Sequence, residues 1–211
     1  MSHNRRVPNL LIRRAGLATA AGLGLAAVLS GCTTSPGAAA LVGDQRISNS
    51  RITDAVQTAM ADPALASVVG TKTDQLARQE LDQQIILILL RAQAAKDGVT
   101  VSQDQIDAAV AGAVKQAGGQ SAIDQQLAQQ GEPPADLKIG VEENLLLEAI
   151  AGKETGSSSP TQTQTQSVGL KALAEQTQAL GVHVNPRWGT WSPAHAAVLP
   201  VDKGLSAPAN G

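Results

Sequence analysis

Nucleophilic, acid–base and metal chemistry draw on a short set of side chains, and this chain is sparing with them. It contains one cysteine, Cys32, and three histidines, of which His183 and His195 lie beyond the first 31 residues. His183 alternates with Val182 and Val184, which places it on the exposed face of a short strand. No nucleophile-elbow motif accompanies a serine, so nothing in the sequence supports a Ser–His–acid triad. No His, Cys or acidic pair stands at metal-ligand spacing. Glu142-Glu143 and Asp104/Asp107 read as solvated helix faces, and the glycines form no phosphate loop. The sequence thus predicts no catalytic residue, no cofactor site and no metal site. Two other residues stand out. Trp188 and Trp191, in VNPRWGTWSP (184–193), are the only tryptophans of a chain without Phe or Tyr.

Cys32 has a chemistry of its own. Arg5, Arg6, Arg13 and Arg14 open the chain, the apolar run AGLATAAGLGLAAVL (15–29) follows, and LSGC (29–32) ends on the cysteine. The run is shorter than the ~20 residues of a membrane-spanning helix and fits the h-region of a secretory signal. The order resembles a bacterial lipobox, in which small residues such as Ser30 and Gly31 fit the protease and the thiol takes diacylglycerol as a thioether. That resemblance implies a signal peptide over 1–31, lipid on Cys32 and an anchor on the extracytoplasmic face of the cell membrane. An ordinary cleaved signal with an incidental cysteine is the competing reading. Residues 1–31 hold four arginines and no acid, so their removal takes the formal charge from −2 to −6. Such a body is not built for nucleic acid.

The elements that follow are mostly helical. With aromatics at 1%, Ala, Leu, Val and Ile must build the core, and Ala and Leu favour helices. Residues 32–40 read as a tether. Val42 and Ile47 flank Gly43-Asp44 in a hairpin-like segment, and Ser48 or Ser50 caps a helix carrying Ile52, Val56 and Met60. Asp62-Pro63 marks its end. TDQLARQELDQQIILILLRAQAAKDG (73–98) predicts a long buried helix, because Ile85–Leu90 is apolar on every side. Ser102 and Gln105 match a capping box ahead of Ile106, Val110 and Val114. A short helix over 121–131 ends at Gly131. Pro133-Pro134 opens another over about 134–152, with Leu137, Val141, Leu145 and Ala149 as its stripe. GSSSPTQTQTQS (156–167) reads as a polar linker. A last helix over about 168–180 carries Leu170, Leu173 and Leu180, then VHV is extended, and 193–211 is a flexible tail.

Three stretches in this order carry a resemblance. ALVGDQRISNSRITDAV, the helix ending LLRAQAAKDGVTVSQDQIDAAV, and GGQSAIDQQLAQQGEPPADLKIGVEENLLLEAI together resemble the N-terminal domain of SurA-like and PrsA-like secretion chaperones, over residues 40–152. HVNPRWGTW is similar to the C-terminal segment of short, lipid-anchored actinobacterial members. The resemblance implies a mostly α fold over 41–155, with a small β element made by N-terminal and C-terminal segments and residues 168–192 packing back on the domain. It also implies ATP-independent binding of unfolded or extended exported polypeptides. In full-length relatives a parvulin-type prolyl isomerase domain stands where this chain has 156–167, so isomerase activity is not carried over. The alternative is an envelope scaffold lipoprotein that holds one folded partner. For Trp188 and Trp191, structural closure of the domain ranks ahead of client contact.

Overall fold

The computed structural model describes residues 36–201. Their fold is mostly α, with small antiparallel sheets at the meeting of the chain's two ends. Strands β1 (Ala38–Val42) and β2 (Gln45–Ser48) form the expected hairpin around Gly43-Asp44. β1 begins inside the stretch expected to be tether. Its Ala38, Ala39, Ala40 and Val42 are buried, because only small side chains fit where it packs on the helices. Ser48 caps α1 (Asn49–Met60) by accepting from the Arg51 backbone. Asp62-Pro63 does end that helix, yet Asp62 also caps a further one, α2 (Pro63–Val69), that periodicity over seven residues could not reveal.

Helix α3 (Thr73–Asp97) is the central element, packed on α1, β1 and two later helices. Ile85, Leu89 and Leu90 have no exposed surface. Burying a Leu or Ile side chain contributes roughly 1.5–3 kcal/mol, and this run makes α3 the axis of the core. α4 (Gln103–Ala117) starts with the Ser102/Gln105 capping box, both bonds present. Along its expected stripe only Ile106 is buried; Val110 and Val114 are half-exposed. α5 (Gln120–Gln130) stops at a left-handed Gly131. A 3-10 turn, Pro134–Asp136, leads into α6 (Leu137–Thr155).

Three expectations are corrected here. The buried stripe of α6 is Leu146, Ile150 and Ala151, one position round from Leu137, Val141, Leu145 and Ala149, all half-exposed. That register lets α6 face α3 and the next helix at once. The 156–167 stretch is not all linker: α7 (Gln162–Leu180) starts within it, where Thr161 and Gln164 form a second capping box. Gln and Thr at helical positions carry no apolar signal, but Thr-x-x-Gln satisfies the free amides of the first turn. Leu173 is buried as expected, whereas Leu170 and Leu180 are exposed.

The C-terminal segment returns to the start of the fold. β3 (Val182–Val184) pairs antiparallel with β1, giving the order β2–β1–β3. The partner is therefore the AALV side of the hairpin, with Val182 opposite Val42 and Val184 opposite Ala40. β4 (Thr190–Ser192) and β5 (Ala197–Leu199) form a second hairpin, so part of the expected tail is a strand. The Asp82 carboxylate on α3 accepts from the Val198 backbone and fastens this hairpin to the core.

Candidate functional site

A cleft of about 1030 Å³ lies between the start of α4, the outer side of α6 and the first half of α7. Two close approaches border it, one from a loop and one between helices. Gly152 on α6 lies under the Ser157 carbonyl, and Gly169 on α7 lies against Leu147. A methyl at Gly169 would stand 2.7 Å from the Leu147 side chain, so glycine lets the two helices approach. Val101, Leu147, Leu170 and Leu173 supply apolar surface, with Leu170 53% exposed. Gln105, Asn144, Gln162 and Gln166 add side-chain amides, and Thr165 and the serines of 157–159 add hydroxyls. Glu148 is the one charged residue of the lining.

This arrangement offers many hydrogen-bonding groups beside apolar surface. Amides and hydroxyls donate and accept, so they can meet the backbone of an extended chain in any register. Exposed Leu170 and half-buried Leu145 and Leu147 add apolar surface beside them. No lining residue is a His, Cys or Lys, and among the described residues no group of His, Cys, Asp or Glu could hold a metal ion.

Beneath the other side of α3 lies a carboxyl cluster that the sequence did not signal. Glu80 is 3% exposed. Burial, then a hydrogen bond and the charge of Asp136, push its carboxyl up to about 8. Both carboxyls of this pair are therefore harder to ionise than ordinary surface carboxyls. Burial also raises Asp136, and raises Glu143 on α6 to about 7, with Asp136 and Glu142 adding to the Glu143 shift. The expectation that Glu142-Glu143 is a solvated face fails for Glu143, which turns inward. Glu142 instead takes a two-bond ion pair from Arg91, at 2.7 and 2.8 Å. Asp107 does lie on an exposed face, paired with Lys138.

A family model described as SurA-like N-terminal domain matches residues 11–151. The chain belongs to this family. SurA-like N-terminal domains are chaperone-type domains. Comparison with curated proteins and with solved structures finds no match. Of the cleft, the α4 wall and α6 as far as Ala149 lie inside the matched SurA-like region, while Gly152 and the α7 wall lie beyond it.

Beyond the matched region the two tryptophans have different surroundings, and neither lines the α4/α6/α7 cleft. Trp191 is buried, and its indole N–H donates to Thr177 Oγ1 on α7 at 3.2 Å. Trp188 is half-buried and donates to Asn49 Oδ1 at 2.7 Å, with the Arg187 guanidinium 5.1 Å from its ring centre. His183 is exposed on β3. His195 Nδ1 lies 2.9 Å from Ser192 Oγ in the exposed β4–β5 turn. Neither histidine lines the cleft or, among the described residues, meets a carboxylate. Cys32 lies outside the described residues.

Proposed function

We propose that this SurA-like domain is an ATP-independent chaperone-like protein that holds extended segments of unfolded exported polypeptides. The α4/α6/α7 cleft carries the reading: it is wide, lined by amides, hydroxyls, exposed Leu170 and half-buried Leu145 and Leu147, and nearly uncharged. Such a lining makes sequence-tolerant contacts, as a holder of many clients needs. The family supports the chaperone class. The signal-like N-terminus and LSGC (29–32) support lipid attachment at Cys32 on the extracytoplasmic face of the membrane. Among the described residues no helix is long and apolar enough to cross a membrane. In this reading the protein acts without prolyl isomerase activity, by holding alone.

The test mixes the purified protein with a reduced, aggregating client. Suppressed light scattering, and crosslinks from α6 and α7 to several exported chains, are the expected results. Unchanged aggregation together with one stoichiometric folded partner would replace this reading with the scaffold alternative. Intact mass of the exported full chain decides separately whether Cys32 carries lipid.

A further inference from the structure

We infer that the face around Trp188 docks on the phosphate groups of anionic phospholipids, so that the body lies against the membrane surface. A second cleft, about 800 Å³, runs between α1, α3 and the C-terminal segment. Arg78, Arg187 and Trp188 line it, with Pro186, Pro200 and Val201 as apolar wall. Arg91 is ion-paired to Glu142, but among the described residues neither Arg78 nor Arg187 has an ion-pair partner. Asp74 in the lining, and Asp82 farther along α3, are the acids near Arg78. Two guanidinium groups and an indole thus share one opening on a body that is acidic overall. Arginine forks match phosphate oxygens, and tryptophan favours the membrane–water interface.

Position in the fold favours a bilayer over an acidic peptide. Residues 36–38 are held beside this face. Arg46 donates to the Pro36 carbonyl oxygen at 2.7 Å, the Asn49 backbone to Gly37 at 2.8 Å, and the Asn185 amide to Ala38 at 3.1 Å. Asn49 is also the residue that receives the Trp188 indole. Three residues lie between Cys32 and Pro36, so the two are at most about 14 Å of chain apart. With lipid on Cys32, a point on which this argument rests, the Trp188 face is brought to the head groups. The apolar and amide-lined cleft between α4, α6 and α7 shares no lining residue with it.

All the described elements, from Ala38–Val42 to Ala197–Leu199, lie beyond Cys32, so a chain of residues 34–211 tests the face without the lipid. Sedimentation with phosphatidylglycerol vesicles should exceed that with phosphatidylcholine vesicles and fall with salt. Arg78→Gln with Arg187→Gln should lower the partition about thirtyfold, two cations at about 1 kcal/mol each. In Trp191→Phe, where Trp188 is the sole fluorophore, brominated phosphatidylglycerol should quench the emission. Equal partition on both vesicles, or a double variant that binds like the parent, overturns the inference. So does a Trp188 emission that answers to an acidic peptide and ignores vesicles. Sedimentation of the unsubstituted body keeps the test valid if Trp191→Phe folds poorly.

Discussion

The Trp188 indole donates to Asn49 Oδ1 at 2.7 Å, joining residues 139 positions apart. It ties the turn between β3 and β4 to the first residue of α1. Asn49→Ala leaves that N–H without its partner in a half-buried place, at a cost of about 1 kcal/mol. Urea denaturation should show the loss, with a red shift of emission in Trp191→Phe. Trp191 is the more buried ring, and Trp191→Ala should cost roughly 3–5 kcal/mol.

The carboxyl cluster predicts a pH dependence opposite to ordinary acid denaturation. Glu80, Glu143 and Asp82 each hold their proton more tightly in the fold than in the unfolded chain, at about 8, 7 and 6. Their contribution is present below the usual carboxylate range and is lost as pH rises through those values. Stability should therefore decline from about pH 5 to about pH 8. Glu80→Gln keeps the shape and removes the charge, so it should flatten much of this slope. It should stabilise the protein at pH 8 by on the order of 2 kcal/mol. Chemical denaturation at a series of pH values reads both effects.

Leu170 separates binding from folding. Its side chain is mostly exposed on the cleft wall, so Leu170→Asp should move stability by no more than about 0.5 kcal/mol. Suppression of client aggregation should weaken several-fold. Equal suppression at unchanged melting temperature would place clients elsewhere.

Gly189 holds the C-terminal hairpin closed. Its φ is 139°, and an added methyl would overlap the Leu199 carbonyl oxygen. Gly189→Ala should separate β4 from β5 at a cost of about 2 kcal/mol or more. Loss of Trp191 near-ultraviolet circular dichroism would report it.

The helices announced themselves wherever capping and apolar run agreed: Ser102/Gln105 before Ile106, or Ile85–Leu90 ahead of Gly98. What stayed hidden depended on partners distant in sequence. Whether Leu145 or Leu146 faces inward is set by α3 and α7 together, and periodicity along α6 cannot fix it. The Gln162–Gln166 turn is polar, and only its cap marks it. Glu80 lies amid Gln-rich helix and looks solvated until Asp136 arrives from 56 residues on. One wall of the cleft begins in that same polar α7 turn, with Gln162, Thr165 and Gln166, so Leu170 and Leu173 could be named but not the outline they border.

β1 is the middle strand of its sheet, and its two neighbours come from opposite ends of the chain. During synthesis β2 follows at once, but β3 arrives only after 139 further residues, counted from Val42 to Val182 less one. Until then β1 presents an open edge able to pair with any strand it meets. The domain therefore cannot finish vectorially as it emerges. A chain cut short before Val182 keeps that edge bare, which marks it as incomplete to any protease that reads extended backbone.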